Sequence, residues 1–144
     1  MMSDGDARVS IATDTDVVPA TVRAIVAGHG SFASGIISAV EQITGRGASF
    51  LAMSNTGLCL DDIQGTLARA LDDTGARVIF TDLPAGSCTM AVRRMIRARP
   101  GVVLVTGINL SLLLDFAMQE SVDPIIAVQT ALERARASMA VHGA

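Results

Sequence analysis

"VRAIVAGHGSFASGIISAVEQI", residues 22–43, joins a β-rich apolar run to a helical pattern through a histidine set between two glycines. "VRAIVA" is short and almost continuously apolar, the pattern of a buried strand. In the text that follows, Phe32, Ile36, Val40 and Ile43 recur at helical spacing and Gly45 supplies a stop. The chain has only two histidines, and one of them stands uncovered at the mouth of a strand.

The same alternation continues outward. "ASFLAMS" reads as a second strand closed by the turn "NTG", and "LDDIQGTLARALDDTG" as an amphipathic helix with Leu60, Ile63, Leu67, Ala70 and Leu71 on one face, ended near Gly75. "ARVIFTD" is a third strand, and "SCTMAVRRMIRAR" a helix with Ser87 as its expected N-cap and Pro100 beyond its end. "VVLVTG" is a fourth strand and "NLSLLLDFAMQE" a helix apolar nearly all round. The last helix, from "VDPIIAVQTALERARASM", opens with Asp123 as N-cap and Pro124 at its first position. Strands written as continuous apolar runs are those covered on both faces. The expected fold is therefore α/β, doubly wound, with a four-stranded parallel sheet flanked by helices.

At 144 residues, the chain suits one domain. A flexible extension is expected over residues 1–20, which are polar and rich in Asp and Thr, and the domain over 21–144. No apolar run approaches the ~18 residues of a membrane span, and "MMSDGDARVS" lacks the layout of a secretion signal. With net charge −3, 3% aromatics and neither Trp nor Tyr, nucleic-acid binding is not expected. Cys59 and Cys88 form no metal-ligand pattern, so no metal site is expected. They read as free thiols of a cytosolic protein.

Ligands of open α/β sheets sit beyond the carboxyl ends of the strands. Strand one ends in "GHG", strand three in "TDLPAGS" and strand four in "TGIN", which gathers His29, Asp82, Ser87 and Asn109 near one edge. The helix beginning near Ser31 aims free N–H groups at the same place, a setting for a phosphoryl group. An imidazole nitrogen can attack phosphorus if the other nitrogen is held by an acceptor, and Asp82 is the natural holder. Ser87 and the N–H groups around it can surround the phosphoryl oxygens. Against this stand plainer roles: a structural histidine, a turn aspartate, a helix cap. A dinucleotide site fails because "GHGSFASG" has Ala33 where the third glycine belongs and "AMSN" ends strand two without an acid. There is no GxxxxGK[ST] or G-x-S-x-G. His142 reads as a tail residue.

Three separated segments, "VRAIVAGHGSFASGIISAVEQITG", "VIFTDLPAGSCTMAVRRM" and "VVLVTGINLSLLLDFAMQ", resemble the enzyme IIA component (EIIA type-4) of the mannose/fructose/sorbose family of the bacterial phosphoenolpyruvate:sugar phosphotransferase system, over roughly residues 22–140. The resemblance implies that His29 takes a phosphoryl group on Nε2 from the phosphocarrier HPr and passes it to enzyme IIB for sugar uptake. It also implies that Asp82 orients the ring, and that Ser87, with Gly86 and Ser31 beside it, binds the phosphate. It implies strand order 2-1-3-4 and a homodimer exchanging an antiparallel edge strand, here from the tail "ASMAV". No cofactor is implied, and the location is cytoplasmic, at the membrane only through IIC and IID. Where the family has an aromatic residue, two glycines and, after the Ser, a Pro, this chain has Pro84, Ala85, Gly86 and Cys88. Ser111 also replaces a common Pro. Two other readings are a phosphocarrier subunit of dihydroxyacetone kinase, whose segment reads more like "SHS", and a regulatory phosphohistidine module.

Overall fold

The computed structural model describes residues 21–144, and the expected extension over 1–20 lies outside the described residues. Four strands, β1 (Ala24–Gly28), β2 (Phe50–Ser54), β3 (Val78–Thr81) and β4 (Val103–Val105), form one sheet in the order β2-β1-β3-β4, and all three pairings are parallel. This is the order and direction expected from sequence. The helices are α1 (Phe32–Thr44), α2 (Leu60–Thr74), α3 (Ser87–Met95), α4 (Leu110–Met118) and α5 (Pro124–Arg136).

Alternation along β1 and β3 divides the core in two. Ala24, Val26, Val78 and Phe80 pack with α1, α4 and α5, whereas Ile25, Ala27 and Ile79 pack with α2 and α3. All residues of the two central strands are buried, which is why they read as unbroken apolar text. The edge strands differ from that expectation. Leu51 and Ala52 of β2 are exposed and β4 is half-buried throughout, because an edge strand borrows cover from one neighbour only.

Helix α4 lies between α1 and α5, which accounts for its near-continuous hydrophobicity. Leu112, Leu113, Phe116 and Ala117 are buried. Phe116 meets the Phe80 ring edge-on at 5.4 Å and Phe50 at 5.8 Å, joining helix and sheet. Arg23 lies over the ring of Phe116, 4.5 Å from its centroid, and donates to the carbonyls of Phe116, Gln119 and Val122, where α4 runs out of partners. Asp123 caps α5 by accepting from Ile125 N–H, with Pro124 at the first position, as read from the sequence. Ile43 departs from the expected apolar face of α1 and is 60% exposed. The tail segment "ASMAV" adds no strand to the sheet of the single chain: residues 137–141 are irregular and exposed.

Candidate functional site

Beyond β1 the chain turns to one side to build β2, and later returns to the other side to build β3. The crevice between the carboxyl ends of β1 and β3 is thus the switch point of the sheet. His29 follows β1 and Asp82 follows β3, so pairing of Ala27 with Thr81 brings them side by side. Asp82 Oδ2 accepts from His29 backbone N–H at 2.9 Å and lies 2.8 Å from ring Nδ1. The Asp82 side chain is 11% exposed and that of His29 51% exposed.

Burial pushes the Asp82 carboxyl up. The N–H and ring of His29, its charge and the residue's own N–H outweigh that and hold it below the usual carboxylate range. An ionised Asp82 has only acceptors to offer, so Nδ1 carries the proton and the Nε2 lone pair is left free.

Glycines set two close approaches. A Cβ on Gly28 would stand 2.9 Å from Asp82 Oδ2 and 3.0 Å from Phe32 Cδ2, so the carboxylate occupies space that only glycine leaves. Gly86, at φ +118°, lies against the ring, and a Cβ there would be 3.4 Å from His29 Cε1 and 3.9 Å from Nε2. The loop carrying Asp82 and Gly86 is held from beneath. Thr89 Oγ1 donates to the Leu83 carbonyl at 2.6 Å and, its one proton spent, accepts from Thr81 Oγ1 at 2.7 Å. Both threonines are buried.

Two sequence expectations, for Ser87 and Asn109, shift in detail. Ser87 is the first residue of α3 rather than its N-cap. Gly86 takes the cap position, because the chain enters the helix at a φ that glycine accepts readily. The Ser87 hydroxyl is instead 2.8 Å from Asn55 Nδ2, which donates to it. Ser31 precedes α1 at the expected start of the helix and is exposed, with no cap bond from its side chain. Its carbonyl accepts from Gly35 N–H. Asn109 has no bond to the His29 cluster: its Oδ1 caps α4 by accepting from Leu112 N–H at 2.9 Å, and its Nδ2 donates to Ser138.

Asn55 is the residue that sequence reasoning missed. It directly follows β2 and closes the segment "AMSN", which is read from sequence only for an acid. The strand-end rule that selected His29 and Asp82 applies to it equally.

The two cysteines are free, Cys59 exposed and Cys88 buried. Burial first, and then the Asp82 charge, push the Cys88 thiol up to about 11. Among the described residues, no three His, Cys, Asp or Glu side chains are grouped to hold a metal ion. No helix among them is long and apolar enough to cross a membrane.

An exposed imidazole with one nitrogen anchored by a carboxylate, facing the N-terminus of α3, can accept and release a phosphoryl group. Comparison with known proteins bears on that chemistry. The family EIIA-man, described as PTS system fructose IIA component, matches residues 23–131. A protein of Klebsiella pneumoniae described as a putative phosphoenolpyruvate-dependent sugar phosphotransferase system permease is 25% identical, with TM-score 0.72 over 85% of this chain and 92% of its own. The mannose/sorbose specific IIA subunit of Enterococcus faecalis is 16% identical, with TM-score 0.73 over 87% of this chain and 97% of its own. The PTS IIA protein associated with the fucose utilization operon of Streptococcus pneumoniae is 22% identical, with TM-score 0.71 over 84% of this chain and 93% of its own. No curated protein matches the chain.

Proposed function

The chain belongs to the EIIA-man family of PTS system fructose IIA components, and from that membership we propose that it carries a phosphoryl group on Nε2 of His29, taken from phospho-HPr and handed to enzyme IIB for sugar uptake. Membership already makes it a phosphotransfer component of a sugar phosphotransferase system. The observation that carries the finer reading is the 2.8 Å pairing of Nδ1 with Asp82, which turns the other nitrogen's lone pair outward.

The step needs no proton transfer at the attacking atom. The Nε2 lone pair forms the new P–N bond while the donor's bond to phosphorus breaks, its electron pair returning to the donor. The ring becomes an imidazolium, with Asp82 opposite its Nδ1–H to steady the charge. Ser87, the N–H groups of the first turn of α3 and the backbone at Gly86 are the donors for the phosphoryl oxygens, with Ser31 on the α1 side. Delivery to IIB runs the same events in reverse, so one site serves both partners.

The protein acts in the cytoplasm, meeting the membrane only through IIC and IID. It works as a homodimer in which the tail exchanges an edge strand. Met139 and Val141, 78% and 95% exposed, and the half-buried edge at β4 support that assembly.

Incubation with phosphoenolpyruvate, enzyme I and HPr tests the reading. One acid-labile, alkali-stable phosphate per chain is expected, and none in His29→Ala. Label retained by that variant would overturn it.

A further inference from the structure

Asn55 follows directly after β2 at the edge of the sheet that also holds His29 and Ser87, but it leaves a different strand than either. Its backbone is secured without help from its side chain. The N–H donates to the Gly28 carbonyl at 3.0 Å, and its own carbonyl accepts from Leu58 N–H at 3.0 Å to close the turn. An asparagine that serves only a turn commonly bonds its own backbone two residues on. This one reaches 32 positions along the chain and donates from Nδ2 to Ser87 Oγ at 2.8 Å.

The consequence follows from counting protons. A serine hydroxyl has one hydrogen and two acceptor lone pairs, and unless something holds it the hydrogen rotates to suit its surroundings. With one lone pair occupied by Asn55, the hydrogen must point elsewhere, and Ser87 becomes a donor in waiting. Ser87 follows directly on Gly86, where a Cβ would stand 3.4 Å from His29 Cε1 and 3.9 Å from Nε2. A phosphoryl oxygen at that nitrogen offers only lone pairs, so a hydroxyl already turned to donate matches it without reorganisation.

We propose that Asn55 is a positioning residue for phosphoryl transfer, fixing the polarity of the Ser87 hydroxyl so that it donates to the phosphoryl group on His29. The inference rests on the reading of His29 and Ser87 given under Proposed function. It brings a third strand end to the site: β1 leads to the nucleophile, the loop after β3 holds its partner, α3 opens with the phosphate donor, and the residue after β2 sets that donor's direction.

The test compares wild type, Asn55→Ala, Ser87→Ala and the double variant in the phosphoenolpyruvate–enzyme I–HPr assay, with the 31P resonance of the phosphorylated protein as a second readout. Asn55→Ala should lower kcat about fivefold, the loss of one net hydrogen bond, while KM for HPr stays as it was. The double variant should be no slower than Ser87→Ala alone, because Asn55 acts only through that hydroxyl. Its 31P signal should be displaced as in Ser87→Ala. Asn55→Asp keeps the shape of the side chain but replaces the donor with an acceptor. It should lose at least as much as Asn55→Ala, and it serves if the alanine variant does not fold. Wild-type rates in both Asn55 variants, or a double variant slowed by the product of the two single factors, would overturn the proposal while leaving His29 as carrier. Label on His29→Ala would instead overturn the reading beneath it.

Discussion

Asp82 Oδ2 grips His29 at two points, the backbone N–H at 2.9 Å and ring Nδ1 at 2.8 Å, so one oxygen fixes both the strand end and the tautomer of the ring. The carboxylate is ionised because those same contacts outweigh its burial. Orientation and electrostatics therefore share one origin.

Replacing Asp82 by Asn keeps the shape and removes the charge. The amide can present N–H to the ring and favour the wrong tautomer. Transfer from phospho-HPr should slow by about 100-fold or more, with the fold retained. Near-wild-type rates would reduce Asp82 to a turn residue. A pH series checks the charge separately. A carboxyl whose folded pKa is lowered adds stability above its unfolded value, and that stability fades as pH falls through the folded value. The melting temperature of wild type should exceed that of Asp82→Asn at neutral pH, and the gap should close below about pH 4.

Gly28→Ala should damage function more than stability. The added methyl would stand 2.9 Å from Asp82 Oδ2, and the carboxylate is the movable partner. Displacing it releases the ring, so transfer should fall as in Asp82→Asn while unfolding shifts by about 1–3 kcal/mol. A variant that transfers normally would show that the carboxylate can relocate without losing the ring.

Alkylation should distinguish the two thiols. Cys59 is exposed, whereas Cys88 is 1% exposed with a thiol pushed up to about 11. Iodoacetamide at mildly alkaline pH should add one group to the native protein, on Cys59, and two in denaturant, read by mass. Rapid native labelling of Cys88 would mean that the start of α3 opens.

Assembly is checked by sedimentation of the intact chain and of one cut after Arg136. The intact chain should be a dimer and the shortened one a monomer. A monomer in both states would end the exchange model, and a dimer in both would move the interface onto the helices.

The alternation of apolar runs with helical patterns made the parallel sheet and its two central strands legible, while the strand order came from the family resemblance. The strand-end rule placed His29 and Asp82 together across 53 positions of chain. What stayed hidden depended on neighbours that local text does not name. Asn55 meets Ser87 only because β2 lies beside β1 and the start of α3 comes within reach of its amide. Ser87 looked like a cap because serine favours that position. The chain instead enters α3 at φ +118°, which gave the cap to Gly86 and released the hydroxyl. Asn109 sat at the right edge of the sheet, but its acceptor was taken by Leu112 N–H at the start of α4.

The exposure of His29, 51% of its side chain, has a consequence in time as well as in space. A ring open enough to meet two successive proteins is equally open to water, so a phosphoramidate formed there would begin to hydrolyse as soon as the donor left. The loaded molecule would have a shelf life, set by hydrolysis when no acceptor arrives and by delivery when one does. The loaded fraction would then track the ratio of arrival to withdrawal, and on the proposed function the same exposed ring would record how fast sugar is entering the cell.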